Sequence, residues 1–326
     1  MNLAPGRAPR MGYTAGGYAD SGSYRFHFPD GNASIARLLV RGLIPGAVSR
    51  GTAEDIVTAA IDYSQLDRPG TPVRLRLSSP VMRVRHRGQP GRAADVEVVW
   101  IGRRGLESAR AKHCILACWH TVIPYLCAEF PQSQKDAMRY QVKVPLVYTT
   151  VGLRQWTAFE KLGFSRASCP GSYHYSARLD FGPQIGGYVP AKSPDEPVLV
   201  SMERTPCLPG LPERDQHRAG RGELFSTTFA TFERSIRDQL ARMLSAGGFD
   251  PGRDIEAITV NRWPHGYAYE YNPLFDPDWP DGQAPHEIAR RPLGRIAIAN
   301  ADASAEAYTD KAIDEAWRAV QDLASA

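Results

Sequence analysis

Long hydrophobic runs are missing from this 326-residue chain: no stretch of about 18 apolar residues occurs, so no segment spans a membrane as a helix. The opening MNLAPGRAPRMGYTAGGYADSG has no apolar core and is not a secretory signal. A dominant charge is missing too. The 39 basic and 35 acidic residues leave +4, without the clustered basic stripe of a nucleic-acid binder, so no nucleic-acid partner is expected. Cysteines are few. Cys114, Cys118, Cys127, Cys169 and Cys207 are odd in number and form no CxxC pair, which argues against a disulfide framework and a zinc site. The eight histidines are scattered without metal-ligand spacing, and His217 and His286 read as loop hydrogen-bonders. No metal site is expected. Also absent are GxSxG, GxxxxGK[ST], HExxH and GxGxxG, which removes the common hydrolase, nucleotidase, metalloprotease and dinucleotide-binding signatures.

What remains is ordinary globular material. Apolar residues are 43% and charged residues 23%, enough for a sizeable core, and the length suits about two domains. The first 25 residues carry no period and read as flexible. FHFPDGNASIARLLVRGLIPG predicts a turn and a short helix capped by Asn32 or Ser34, with Ile35, Leu38, Leu39 and Leu43 on one side. From Pro72 to Ala117 the period becomes two, which predicts four short strands in an antiparallel meander. The last of them, CILAC, is apolar throughout and reads as buried on both faces. FPQSQKDAMRY predicts a helix, and KVPLVYTTVGL a strand whose Pro145 marks an edge or a bulge. QIGGYV and PVLVSM look strand-like. GELFSTTFATFERSIRDQLARMLSAGG predicts one long helix, and ITVNRW a strand leading to an aromatic loop. The chain closes with a strand, GRIAIAN, and a helix from Thr309 to Leu323. The expected class is α/β, of mixed α+β character.

Three segments stand out chemically. In GRIAIANADASAEAYTDKAIDEAWRAV an acid, Asp302, follows a strand, and a helix opens at Thr309–Asp310. A helix N-terminus presents unpaired N–H groups that favour an anionic group or a reduced cofactor ring. In NRWPHGYAYEYN, Trp263, Tyr267, Tyr269 and Tyr271 form either an aromatic wall for a planar cofactor or cationic substrate, or a strand with ordinary aromatic alternation. Gly266 permits close backbone approach there. In KVPLVYTTVGLRQW, Lys143 opens an apolar strand and is either a site residue or the strand's solvent end.

In this order, FHFPDGNASIARLLVRGLIP, ILACWHTVIPYLC, QVKVPLVYTTVGLRQW, RDQHRAGR, the NRWPHGYAYEYN stretch and the C-terminal strand–helix resemble the C-terminal half of flavin-dependent amine oxidases. The bacterial spermidine dehydrogenase branch is the nearest in pattern. The resemblance implies an incomplete FAD-binding, Rossmann-like domain interleaved with a substrate domain. Residues 26–71 and 129–290 would belong to the substrate domain, and 72–128 and 291–326 to the FAD domain, after the segment 1–25. It implies that Lys143 holds a water near the flavin N5 and that Val81 meets the adenine side. Asp302 would reach the ribityl or phosphate region. Tyr308, Thr309, Asp310 and Ala312 would face the flavin pyrimidine carbonyl, and Tyr267, Tyr269 and Trp263 would line a small amine or polyamine substrate. A haem beside the flavin is compatible with that branch, although no motif here calls for one.

Two departures bear on function. The family's glycine-rich turn is missing, and ANAD stands where AGE-like residues are common. The resemblance therefore implies that Met1 falls where the first half of a full-length relative has been lost. A separately encoded N-terminal half would then complete the cofactor site. The alternative is a non-catalytic remnant or interaction module that binds no flavin alone. Without a signal the default compartment is cytoplasmic, whereas full-length relatives are often periplasmic. The chemistry implied is hydride transfer from a neutral amine's α-carbon to flavin.

Overall fold

The structure is a computed structural model that describes residues 28–48, 51–272 and 274–324. The segment 1–25 lies outside them. The order is α1 (Asn32–Leu43), β1 (Val81–His86), β2 (Val96–Gly102), β3 (Gly105–Ala111), β4 (Cys114–Leu116), α2 (Ile123–Leu126), α3 (Gln132–Tyr140) and β5 (Val144–Leu153). There follow α4 (Thr157–Leu162), β6 (Arg166–Ser168), β7 (Ser176–Asp180), β8 (Val198–Arg204), α5 (Glu213–Ser226) and α6 (Phe229–Leu244). The chain ends with α7 (Pro251–Asp254), β9 (Ile255–Tyr267), α8 (Pro285–Ala289), β10 (Ile296–Ile298) and α9 (Thr309–Ala324). This is the mixed α/β class expected from the sequence.

Alternation in β5 buries Val147, Val151 and Leu153 against Phe232, Ile236, Leu240 and Leu244 of α6, which makes one core. Its other face, carrying Tyr148 and Thr150, is only half-buried. The sheet runs β6–β7–β8–β5–β9 with antiparallel neighbours throughout. At Pro145 β5 has only β9 beside it, because pairing with β8 begins at Val147, so the proline sits at a locally open margin of the strand. It also marks a bulge: the register with β9 slips between Val144 and Leu146, where a missing N–H removes no ladder bond.

Several elements differ from the sequence reading. The long helix is two helices, because Thr227 and Thr228 are extended and the Thr228 hydroxyl caps α6 through the Thr231 N–H. Phe225 and Phe229 flank the break and are exposed. QIGGYV forms no strand. His217 and His286 lie on α5 and α8, not in loops. α1 forms where expected, but neither Asn32 nor Ser34 is its N-cap: Gly31 is, Asn32 is already helical, and the Ser34 hydroxyl donates to Asp30 at 2.7 Å. Leu39 and Leu43 of its apolar side are exposed.

The meander has three strands, β1–β2–β3, not four. Its expected first strand is irregular, because Arg74 and Arg76 both turn onto Asp67 and Ser78 has φ 51°. Its expected last strand, β4, instead pairs in parallel with β10, residue for residue from Cys114↔Ile296 to Leu116↔Ile298. Leu116 is buried, but Ile115 is 39% exposed, so β4 is not covered on both faces. His86 joins the two sheets. Its Nε2 accepts from the Arg295 N–H at 3.0 Å, so Nδ1 carries the proton and donates to Glu129 at 2.6 Å. A second core of Val84, Val96, Leu116, Ile123, Phe130, Met138, Ile296 and Ile298 lies beneath. Alanines 297, 299 and 319 let α9 approach β10 closely.

Candidate active site

Lys143 is placed by the end of α3 and the start of β5, where Val144 pairs with Tyr267 of β9. It is 5% exposed, so its ammonium needs a partner, and it finds Asp302, itself 1% exposed. Nζ lies 2.5 Å from Asp302 Oδ1. The second oxygen, Oδ2, accepts from the His120 backbone N–H at 3.0 Å, and the Asp302 carbonyl accepts from Gln141 Nε2 at 3.0 Å. Gln141 Oε1 in turn faces His120 Nδ1 at 2.9 Å. Because a carboxamide oxygen only accepts, Nδ1 holds the proton, and Nε2 is a buried atom without a hydrogen-bond partner. Burial pushes the His120 imidazole below its usual range, with the nearby Asp302 opposing. From α5, the Arg221 guanidinium bonds the carbonyls of Pro264 and Lys143 and pins the two strand ends together.

Above the ion pair opens a cleft of about 470 Å³. Its walls are small: Ala117, Ala299, Ala301, Ala307, Ala312 and Ala316, with Gly266 between β9 and the cleft. A Cβ on Gly266 would stand 2.7 Å from Leu146 Cδ1 and 3.1 Å from the Val144 carbonyl oxygen, so the backbone packs closely here and a larger residue would have to displace Leu146. Trp119, whose ring lies 4.6 Å from that of His265, and Tyr267 supply the aromatic walls.

Lys143, Asp302, Tyr267 and Ala312 thus come together, although they are far apart in sequence. Both carboxylate oxygens of Asp302 are engaged, one by Lys143 and the other by the His120 N–H. Tyr308, Thr309 and Asp310 open α9 beside the cleft, and Thr309 Oγ1 accepts from Asn32 Nδ2 at 2.9 Å, tying α9 to α1. Trp263 is on β9 and 53% exposed, outside the cleft lining. Tyr269 is buried away from it, its hydroxyl 3.2 Å from Glu213 and 2.9 Å from Asp276 Oδ2. One phenolic proton cannot serve both carboxylates, and burial pushes Glu213 up toward the protonated form that would donate. Val81 begins β1, paired with Trp100, and is not in the lining. Sequence reasoning missed His120, Gln141 and Arg221. Each lies on a different element from its partner, so no local spacing marks them.

The cleft is walled by alanines and glycine, with the Lys143–Asp302 pair on its floor and the start of α9 beside it. Among the described residues no glycine-rich turn stands ready for a diphosphate. No group of His, Cys, Asp and Glu among them is arranged to hold a metal ion, and no helix is long and apolar enough to cross a membrane.

No protein-family model matches the chain, and no curated protein matches it. Solved structures do. A single-substitution mutant of putrescine oxidase superposes with a TM-score of 0.53 at 15% identity, over 78% of this chain and 50% of that one. Wild-type putrescine oxidase bound to putrescine gives 0.52 at 13% identity, over 77% and 49%. The likeness is one of fold. This chain spans about half the length of the solved structures it matches.

Proposed function

We propose that this chain is the substrate-binding part of an FAD-dependent oxidoreductase acting on amines, of the polyamine or spermidine dehydrogenase kind. One observation carries the reading: a buried Lys143–Asp302 pair forms the floor of an alanine-walled cleft in a fold shared with putrescine oxidase. Bound flavin would accept hydride from the amine α-carbon, leaving an imine to hydrolyse. The chain's own residues would orient the amine, exclude water with Trp119 and Tyr267, and hold a water on the Lys143 ammonium. The apolar walls favour the neutral amine that hydride loss requires.

The diphosphate end of the cofactor needs polypeptide beyond these residues, in our reading a separately encoded half. Support comes from the parallel pair β4–β10, only three residues per strand, with Ile115 exposed at its margin. Parallel strands are normally covered on both faces. Along α9, Ile313, Trp317 and Val320 recur at helical spacing and are 54%, 69% and 46% exposed, as a face awaiting cover would be. The same observation favours a second reading, a non-catalytic module that binds no flavin by itself.

The visible spectrum separates them. Flavin bands in the purified chain, alone or after incubation with FAD, that spermidine bleaches in the absence of oxygen would rule out the second reading. Protein that stays colourless after FAD has been supplied would rule out autonomous catalysis and favour the second reading.

A further inference from the structure

Strand β9 is 13 residues long and stands at the edge of the large sheet. β5 pairs with one side of it, and among the described residues no strand pairs with the other. No backbone group of residues 256–263 bonds outside the sheet among them, so the outward N–H and C=O groups form an open ladder. Sheet edges are commonly blunted by proline or by charges that repel a neighbouring strand. Pro264 lies just past this stretch, whose only charges are Glu256 near one end and Arg262 near the other.

Those two charges are symmetric about Thr259, and Ile258 and Val260 flank it. Two copies of β9 running antiparallel about a two-fold axis at Thr259 set Glu256 of each opposite Arg262 of the other. The same register sets Ile258 opposite Val260, again twice. The smallest slip that keeps like faces together moves the register by two residues, and it puts Glu256 opposite Val260 or Pro264.

We infer that this edge is the contact between two copies of the chain, which join through β9 into one sheet with five strands from each copy. Both charges are placed for it. Arg262 is exposed and forms no ion pair among the described residues. Glu256 is the extra residue of a bulge, since Gly152 pairs with Ala257 and Leu153 with Ile255. Its side chain is 57% exposed and meets Arg154 through Oε2, which leaves Oε1 open. Ile258 and Val260 lie half-buried at the margin of the α6 core, and their counterparts would cover what remains. An unrelated strand could use the open ladder, but only a second copy matches both charges by symmetry.

Sedimentation equilibrium of the full chain reads the association, and wild type should show a monomer–dimer equilibrium. Glu256→Arg and Arg262→Glu each set like charges opposite one another and should weaken dimerisation about tenfold. A chain carrying both substitutions should dimerise as wild type does. An equimolar mixture of the two singly substituted chains should form a heterodimer where neither forms a homodimer, because every charge then meets its opposite. A loss of folding in one variant could not produce that rescue. A wild type that stays monomeric, whether or not its edge takes up a strand of another polypeptide, would overturn the inference. So would a dimer indifferent to either charge reversal, or a mixture that remains monomeric. No arm of the experiment involves flavin, so its outcome is separate from the redox reading.

Discussion

At the scale of single residues, the site is governed by what a buried charge requires. Lys143 is legible in the sequence as a cation opening an apolar strand, and the family resemblance implies a role for it. Nothing in the sequence indicates that Asp302, 159 residues away, is its partner. Deleting one member of such a pair leaves the other desolvated and alone, which costs about 3–5 kcal/mol, whereas replacing both with apolar side chains costs much less. Lys143→Met should therefore lower the unfolding free energy by about that amount, and Lys143→Met combined with Asp302→Leu should recover most of it. Urea unfolding of the three proteins checks this. A single variant as stable as the double would show that the pair is solvated. In flavin-loaded protein Lys143→Met should also slow amine-dependent flavin reduction strongly, read in single-turnover absorbance. Tyr269 teaches the converse. Its place in an aromatic cluster is plain from the sequence, but which carboxylates receive its hydroxyl depends on α5 and on the segment after β9.

Among the elements, periodicity locates most helices and strands, and local competition decides where they stop. The apolar pattern of 222–248 continues through Thr227 and Thr228 without a break, so period alone predicts one helix. The backbone breaks because a threonine hydroxyl can replace the missing helical acceptor at an N-cap. Thr228→Ala removes the 3.3 Å bond from the Thr231 N–H and should destabilise the protein by about 1 kcal/mol. A melting-temperature series with Thr228→Ser as control measures it, and an unshifted Thr228→Ala would show the cap to be idle. The alternation at 73–78 misleads in the other direction. Arg74 and Arg76 project to one side as a strand requires, but Asp67 captures both, and no neighbouring strand pairs with the segment. Pro145 is readable as an edge or a bulge, and the register shows both: a slip against β9 and no β8 partner before Val147.

Across the whole molecule, each of the two larger cores has a buried histidine beside it. Burial, then Arg204, holds His174 down at about 4, beside the sheet core. Burial, then Arg290, holds His286 down at about 3, on α8 at the other core. Both titrate near 6.5 when unfolded, so between pH 6.5 and about 4 the unfolded chain binds protons that the folded chain refuses. Their stabilising contribution is present above pH 6.5 and is lost as pH falls through that window, at on the order of 3 kcal/mol for His174 alone. Chemical denaturation from pH 7 to pH 4 should show the decline, and His174→Gln should flatten it. An unchanged slope in that variant would mean that His174 is not the source.

Local pattern along the chain is enough to indicate most of the helical and extended segments, the mixed α/β class, the lack of an apolar run long enough to span a membrane, and the residues, Lys143, Asp302 and Tyr267 among them, that are candidates to carry chemistry. Those are properties of period, charge and composition. It took the folded arrangement to establish that β4 and β10 run side by side, that Lys143 and Asp302 meet with His120 and Gln141 around them, and that β9 stands at the edge of the large sheet. The reason is physical. A buried charge is satisfied by whichever group the packing brings within hydrogen-bonding reach, and strand register, set over the whole sheet, selects that group without leaving a trace in the spacing of its neighbours.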